Sequence, residues 1–146
     1  MPSLRLKDFM SLLERLSRDD RFAWDIGCRL VEIREGYARA ELKVEERHLN
    51  AAGMCQGGVM FTLADLAFAA VCNSRGIMTV GVSNNISYLK SAKLGETITA
   101  ECTELVDHHK LPCSEIKVKN ENGEVLAVMT GMGYRTAKDF AFESLM

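Results

Sequence analysis

Asp65 is the residue whose surroundings point most directly to chemistry. It is the only charged residue in the run Val59–Cys72, in which Thr62 is the only other polar residue. An ionised carboxylate inside such a run costs several kcal/mol unless it is paired or hydrogen-bonded, and an unpaired one responds by raising its pKa. Asp65 is therefore either structural, bonded to a partner such as Thr62 or set in a small solvated strip, or a functional acid or base.

A pair of glycines, Gly57 and Gly58, stands at the predicted start of the same helix. The first N–H groups of a helix are unpaired and lie at the positive end of its dipole, so they favour developing negative charge. The missing side chains would let a substrate carbonyl approach. The alternative is that the two glycines only form a permissive turn before the helix.

The spacing of these features carries a further prediction. Gly57 lies eight residues before Asp65, and eight residues of helix rise about 12 Å. The two residues of one helix therefore cannot both touch one reacting carbonyl. In a symmetric dimer with antiparallel central helices, the Gly57 end of one chain can face Asp65 of the other, which gives two equivalent shared sites.

The composition excludes several classes of protein. The chain has 146 residues, about one domain, and can bury a core without disulfides or metals. Eighteen Lys and Arg are interspersed with twenty Asp and Glu, without the basic stripe that nucleic-acid binding needs. The five cysteines form no C-x-x-C pair, the N-terminus lacks the features of a signal peptide, and the strongest apolar run is too short to span a membrane. We therefore expect a cytoplasmic protein that binds neither nucleic acid nor membrane.

The hydrophobic periodicity predicts an α+β protein. Apolar residues at helical spacing predict an amphipathic helix over the first twenty residues. The stretch Gly58–Asn73 is long, rich in Ala and free of Pro, which predicts a second helix. Alternation of apolar and polar residues predicts strands. The six predicted strands are Arg29–Arg34, Tyr37–Val44, Thr79–Leu89, Glu96–Asp107, Ser114–Asn120 and Glu124–Arg135. Glu35-Gly36 and Asn122-Gly123 supply turns within the first and last pairs.

The helix Gly58–Asn73 is apolar on nearly every side, so other elements must enclose it. The economical arrangement is one long central helix wrapped by a six-stranded antiparallel sheet, with consecutive strands joined by short turns as a meander. We predict an N-terminal amphipathic helix packed on the domain within residues 1–25, a single domain over residues 26–136 and a C-terminal tail over residues 137–146.

The segment Asn50–Ala67 resembles the signature of hotdog-fold thioesterases of the phenylacetate-degradation (PaaI-like) branch. That signature reads approximately N-x-x-G-x-x-H-G-G, four residues, then L-x-D-x-A, where this chain has NAAGMCQGG, VMFT and LADLA. Softer matches in the later strands extend the resemblance over roughly residues 26–136. The resemblance implies the hotdog fold, hydrolysis of acyl-coenzyme A (acyl-CoA), and assembly as a homodimer or a dimer of dimers.

The resemblance also implies roles for individual residues. Asp65 would act as general base on water, or as nucleophile on the thioester carbonyl. The N–H of Gly57, next to Gly58, would polarise that carbonyl, and Asn50 would help to hold it from the preceding loop. Coenzyme A is part of the substrate, so no separate cofactor is expected.

The chain departs from the family pattern at two positions. Gln56 replaces the histidine before the two glycines, and a glutamine can donate a hydrogen bond to the thioester oxygen but cannot titrate. On the following strand, the position at which many relatives carry a Ser or Thr that positions water falls on Gly81. Ser83, two residues on and expected on the same strand face, is a candidate substitute or an ordinary strand hydroxyl.

Coenzyme A carries phosphates, so basic residues beside a narrow apolar channel are expected. Lys90, Ser91 and Lys93 fall where relatives begin their coenzyme A contacts, although a solvated loop would explain them equally well. A second polar cluster, His108–Lys110, is more simply a solvated turn. The adjacent histidines lack the spacing of metal ligands, so no metal site is expected.

Three functions remain open from the sequence. The leading hypothesis is hydrolysis of an acyl-CoA, with medium-chain or aromatic acyl groups favoured only by family analogy. The loss of the histidine at Gln56 suggests, as the alternative, a non-catalytic module that binds or senses acyl-CoA. Hydration of an enoyl thioester ranks last, because the Asp and His pair of such hydratases is not found. Cys55 has no evident His partner that would make it a nucleophile.

Overall fold

The computed structural model describes residues 4–139 as helices packed on one antiparallel sheet. The elements are α1 (Leu6–Asp19), α2 (Arg21–Asp25), β1 (Arg29–Arg34), β2 (Tyr37–Lys43), a short 3₁₀ turn (Glu46–His48), α3 (Gly57–Asn73), β3 (Ile77–Tyr88), β4 (Thr97–Val106), β5 (Cys113–Lys119) and β6 (Val125–Asp139). The six strands lie in the order β1-β2-β4-β5-β6-β3.

The segment predicted as an N-terminal helix, residues 1–25, contains two helices. α1 buries Leu12 and Ser17, and the Ser17 hydroxyl accepts a hydrogen bond from the Leu30 N–H at 2.9 Å, which ties α1 to β1. The chain then turns at Asp20, whose carboxylate accepts a hydrogen bond from the Ala23 N–H at 3.2 Å and so caps α2. α1 therefore matches the helix predicted over the first twenty residues, and α2 is a second, shorter helix that follows the capped break.

The sheet is not the simple meander that the sequence predicts. β1 and β2 form a hairpin and β4, β5 and β6 form a meander, but β2 pairs with β4. β3 lies at the far edge, where β6 is its only neighbour among the described strands. The prediction that consecutive strands are neighbours is thus wrong for β3. The reason is that α3 follows β2 and crosses one face of the sheet, so the chain re-enters at the opposite edge.

The central helix α3 is enclosed, as predicted. It packs against β2, β3, β4 and β5, and α1 also contacts it. Its large side chains Leu63, Leu66, Phe68 and Val71 are at most 2% exposed. The α+β fold with a long central helix and a six-stranded antiparallel sheet is confirmed. Among residues 4–139, no helix is both long and apolar enough to cross a membrane.

The last hairpin turn matches the prediction, but the last strand is longer than predicted. The Asn122-Gly123 turn lies where expected: Gly123 has a φ of +79°, and the Asn120 N–H donates to the Glu124 carbonyl at 3.1 Å. β6 continues to Asp139, so residues 137–139 belong to the strand and not to the predicted tail. The rest of that predicted tail, residues 140–146, lies outside the described residues.

Candidate active site

The two glycines begin α3 and expose its N-terminus. Neither Gly57 nor Gly58 has a positive φ, so a permissive turn does not account for them. Within residues 4–139 their N–H groups donate no hydrogen bond, and Gln56, which precedes them, does not cap the helix with its side chain. The start of α3 therefore presents two free N–H donors at the positive end of a 17-residue helix.

Other side chains approach both glycines closely, the Tyr88 ring at Gly57 and the end of the Gln56 side chain at Gly58. A Cβ atom on Gly57 would lie 2.9 Å from the Tyr88 ring, and a Cβ atom on Gly58 would lie 2.6 Å from Gln56 Oε1. Both distances are too short for real Cβ contacts. The missing side chains therefore leave room for the Tyr88 ring and the Gln56 amide beside the backbone at the helix start.

Two cavities meet at this helix N-terminus. The larger, of about 620 Å³, is mainly apolar and is lined by Phe22, Ile26, Arg47, His48, Gln56, Gly58, Val59, Phe61, Thr62 and Tyr88. The smaller, of about 420 Å³, is more polar and is lined by Asn50, Cys55, Gly57, Met60, Tyr88, Leu89, Lys90 and Ser91. Tyr88 lines both cavities, so its ring and the two glycines form the boundary between them.

Asn50, for which the family resemblance implies a role beside Gly57, lines the smaller cavity together with Gly57. Its Oδ1 accepts hydrogen bonds from the N–H groups of Ala52 and Met54 at 2.9 and 3.1 Å, which shapes the loop before α3. Its Nδ2 has no partner among the described residues. The loop geometry thus leaves one amide donor for a molecule bound in the cavity.

His48 lies near Gln56 but does not replace the missing histidine. Its Nδ1 accepts a hydrogen bond from the Glu45 N–H at 2.8 Å, so Nε2 carries the proton and donates to the Ile26 carbonyl at 2.5 Å. Because both ring nitrogens have backbone partners, His48 holds the loop to the end of α2. No sequence motif points to His48, and only its position in the same cavity as Gln56 identifies it.

Asp65 is half-buried on α3, and its partner is Asn84 of β3 rather than Thr62. Asn84 Nδ2 donates to Asp65 Oδ1 at 3.3 Å, whereas the Thr62 hydroxyl donates to the Gly58 carbonyl at 2.8 Å. Burial raises the pKa of the Asp65 carboxyl above its usual range, and the Asp20 carboxylate adds to this, while the Asn84 hydrogen bond opposes it. The prediction that Thr62 is the hydrogen-bond partner of Asp65 is therefore wrong.

Asp65 lines neither of the two cavities. Gly57, Gln56 and Asn50 meet at the start of α3, but Asp65 faces β3 two turns further along the same helix. A single chain therefore does not bring Asp65 and Gly57 to one point.

Ser83 does not lie on the face of β3 that the sequence predicts. Gly81 pairs with Gly133, but Ser83 pairs with Met132, so β3 carries one extra residue in a bulge. The bulge reverses the alternation of faces. Asn84, opposite Gly131, faces α3, and Ser83 faces away, where it lines a depression of about 310 Å³ on the outer side of the sheet.

Of the three residues expected to contact coenzyme A, two line the smaller cavity, and one of these two is held in an ion pair. Lys90 and Ser91 line the smaller cavity, but Lys90 forms an ion pair with Glu124. Lys93 is exposed and is not part of the cavity lining. Cys55 also lines this cavity, and burial raises the pKa of its thiol to about 11, so it remains protonated at neutral pH.

The second polar cluster forms a turn. The rings of His108 and His109 lie 4.4 Å apart, and His108 Nδ1 accepts the N–H groups of Lys110 and Leu111. This matches the solvated turn that we considered the simpler interpretation. Within residues 4–139, no three His, Cys, Asp or Glu side chains are grouped so that they can hold a metal ion.

Comparison with known proteins defines the class of this protein. Residues 52–127 match the family model described as the thioesterase superfamily. The match includes both glycines, Asp65 and the strands β3, β4 and β5. The chain therefore belongs to the thioesterase superfamily.

Individual relatives narrow this assignment. A protein from Archaeoglobus fulgidus is 38% identical over 136 residues, which cover 93% of this chain and 84% of the relative. The acyl-coenzyme A thioesterase PaaI from Escherichia coli is 30% identical over 117 residues, covering 80% of this chain and 84% of the relative. The resemblance to the PaaI-like branch and the assignment as a thioesterase are confirmed.

Solved structures agree with the fold. The structure of E. coli PaaI superimposes with a TM-score of 0.86 at 26% identity, covering 91% of this chain and 96% of that protein. The protein smu.793 from Streptococcus mutans, determined bound to acetyl-CoA, has a TM-score of 0.74 at 28% identity, covering 78% of this chain and 92% of that protein. The predicted hotdog fold is confirmed.

Proposed function

We propose that this protein hydrolyses an acyl-CoA thioester to the free acid and coenzyme A. The observation that carries the proposal is the pair of free N–H groups at Gly57 and Gly58, which lie between an apolar cavity and a polar one. An acyl group suits the apolar cavity, and a pantetheine arm suits the polar one. The names of the relatives support the same substrate class.

The proposed mechanism assigns the thioester oxygen to the start of α3. The Gly57 N–H and the helix dipole stabilise the negative charge that develops on this oxygen, and Asn50 Nδ2 donates from the side of the smaller cavity. Gln56 can donate a further hydrogen bond but cannot supply a proton for catalysis. Asp65 either takes a proton from the attacking water or attacks the carbonyl carbon itself. Coenzyme A leaves as a thiolate when the C–S bond breaks, and it takes up the proton that Asp65 accepted from water. On the nucleophilic route the thiolate is protonated by solvent, and water then hydrolyses the acyl–Asp65 anhydride to the free acid and the Asp65 carboxylate.

A raised pKa suits Asp65 for the role of general base. A carboxylate with an ordinary pKa is a weak base at neutral pH, whereas burial, which raises the pKa of Asp65, makes the carboxylate a better proton acceptor. The Asn84 hydrogen bond still favours the ionised form, which both roles require.

We infer that each site is shared between two copies of the chain. Asp65 and Gly57 lie on one helix, too far apart to meet at one carbonyl. The edge strand β3 offers a surface on which a second copy of the chain can pack. It is 12 residues long and has β6 as its only neighbour within residues 4–139. Its Val80 and Val82 are 49% and 54% exposed. A long apolar edge strand of this kind favours pairing with another strand. Pairing of two β3 edges around a twofold axis gives a homodimer, and two such dimers can form a tetramer.

The smaller cavity is the proposed entrance for coenzyme A. Lys90 and Ser91 line it. Hydrogen bonds from Lys90 and Asn120 lower the pKa of the Glu124 carboxyl, and the charge of Lys93 adds a smaller contribution. Phosphate groups at this rim would compete with Glu124 for Lys90. We expect no separate cofactor, because coenzyme A belongs to the substrate.

A screen of acyl-CoA thioesters with release of free thiol as the readout tests the proposal. Medium-chain and aromatic acyl groups belong in the panel beside short ones. Asp65→Asn should abolish turnover while circular dichroism shows an unchanged fold. If Asp65→Asn retains hydrolysis, the assignment of Asp65 is wrong.

A second candidate function is supported by one observation. Gln56 replaces the family's histidine, and both nitrogens of the nearby His48 are engaged. The protein would then bind or sense acyl-CoA without turnover. Isothermal titration calorimetry separates the two functions, since tight binding without thiol release favours this candidate. Appearance of turnover in Gln56→His would indicate an enzyme that has lost its activity.

We also propose that the protein works in the cytoplasm. Cys28, Cys55, Cys72 and Cys102 are buried as free thiols, and burial raises the pKa of Cys28 and Cys72 to about 12. Buried free thiols suit a reducing compartment.

A further inference from the structure

The Asn84 side chain lies between β3, β6 and α3, in a space bounded by Gly131 and Phe68. It lies opposite Gly131 of β6, where a Cβ atom would be only 2.6 Å from Asn84 Oδ1 and 2.9 Å from the Phe68 ring. Phe68 lies one turn after Asp65 on the same helix. A glycine at position 131 is therefore required for the Asn84 amide and the Phe68 ring to lie side by side against the sheet.

The chemistry of the two groups fixes the orientation of the Asn84 amide. An ionised carboxylate only accepts hydrogen bonds, so the amide must turn its Nδ2 towards Asp65. Its Oδ1 is then buried against Gly131 and has no hydrogen-bond partner among the described residues. An unpaired buried carbonyl is unfavourable, and folded proteins retain few of them. The arrangement therefore needs a reason beyond the packing of β3.

We propose that Asn84 is a positioning residue that holds the Asp65 carboxylate in the orientation that the reaction needs. As a statement about catalysis, this inference rests on the proposed function. Because of the bulge at Val82, the Asn84 side chain lies on the α3 side of β3. The hydrogen bond from Asn84 Nδ2 is the one that the Asp65 carboxylate accepts within residues 4–139. One fixed donor leaves the second carboxylate oxygen for a water molecule or a substrate.

The electrostatic surroundings make this donor important. Burial disfavours the charged form of Asp65, and the carboxylate of Asp20, from the junction of α1 and α2, disfavours it further. On α3 itself, Cys72 stays a neutral thiol, because burial raises its pKa to about 12. Asn84, from β3, is the group that acts in the opposite direction. Loss of the Asn84 donor therefore raises the pKa of Asp65.

The pH dependence of kcat/KM in Asn84→Leu tests the inference. Leu branches at Cγ like Asn but is larger and cannot donate, so Asn84→Ala, which removes the donor without adding bulk, serves if the Leu variant does not fold. We expect kcat to fall about tenfold or more. KM should change less than about threefold, because Asn84 touches Asp65 and not the substrate. The midpoint of the acid limb should move to higher pH by about one unit.

The matched control is Asn85→Leu, which changes the next residue on the outer side of the same strand. It should leave kcat, KM and the acid limb unchanged. An unchanged acid limb and kcat in both Asn84 variants would overturn the inference. A rise in KM at unchanged kcat would also overturn it, since that pattern belongs to a residue that binds substrate.

A second measurement keeps the inference separate from the proposed function. The carboxyl carbon of Asp65 can be assigned by NMR from the signal that disappears in Asp65→Asn, and then titrated without substrate. In Asn84→Leu this signal should titrate at higher pH than in the unmodified protein. If the protein hydrolyses no acyl-CoA, the proposed function fails, and the titration alone decides whether Asn84 holds Asp65: equal midpoints in the two proteins contradict it.

Discussion

The Tyr88 ring lies so close to the backbone of Gly57 that a Cβ atom there would be 2.9 Å from the ring carbon Cζ. Tyr88 also lines both cavities that meet at the start of α3. The ring therefore limits how a thioester can reach the Gly57 N–H. Substitutions at Gly57 change two things, the position of the ring and the N–H itself, and a pair of variants can separate them.

Gly57→Ala and Gly57→Pro form that pair. Both add a Cβ atom that displaces Tyr88, but only proline removes the N–H. Proline is tolerated at the first residue of a helix, and Gln56 already has the extended backbone, with φ −66° and ψ 140°, that precedes a proline. We expect kcat/KM of Gly57→Pro to be about 10²-fold or more below that of Gly57→Ala. Thermal melts control for folding, and equal kcat/KM values in the two variants would exclude a role for the N–H.

Asp65→Asn should stabilise the protein at neutral pH even as it removes activity. The folded-state pKa of Asp65 is raised above the ordinary value of 3.8. The stability that Asp65 contributes is therefore present below pH 3.8 and is lost as the pH rises through the raised value. The neutral Asn avoids this loss, so we expect a Tm higher by about 3 °C at neutral pH. Differential scanning calorimetry across pH checks this, and an equal or lower Tm at neutral pH would contradict it.

Glu124→Gln should improve the binding of coenzyme A. Glu124 forms an ion pair with Lys90 at the smaller cavity, and hydrogen bonding from Lys90 holds the pKa of Glu124 below its usual range. The charged carboxylate thus competes with phosphate for Lys90. We expect KM for an acyl-CoA to fall about threefold in Glu124→Gln and to rise in Lys90→Gln, with the effects weakening at high salt. Lys117→Gln, on β5 beside Glu115, is the control. If KM is unchanged in both Glu124→Gln and Lys90→Gln, the phosphates of coenzyme A do not bind at Lys90.

Much of the fold could be predicted from the sequence because local patterns determine it. The run Val59–Cys72 is apolar on nearly every side and had to be enclosed, and α3 is enclosed. Alternating residues located all six strands to within a few residues, and Asn122-Gly123 forms the turn that its residue types favour. Gly57 and Asn50, which the resemblance to the thioesterase signature assigned to one site, line the same cavity.

The position of β3 and its contacts could not be predicted in the same way. Which strands are neighbours depends on how α3 crosses the sheet, and no local pattern records that. The bulge at Val82 has no clear sequence signature, yet it turns Ser83 outwards and Asn84 towards Asp65. A strict alternation of faces gives the opposite result. Asn84 was therefore missed, although an amide on a strand beside a buried carboxylate was a signal that could have been weighed.

Mixing two inactive variants tests most directly whether Gly57 and Asp65 of different chains form one site. Asp65→Asn and Gly57→Pro are each expected to be nearly inactive. If they are co-expressed and associate at random, about half of the dimers are mixed, and each mixed dimer has one intact site of two. The account predicts recovery of about a quarter of the activity of the unmodified protein. A mixture as inactive as its two components would contradict it.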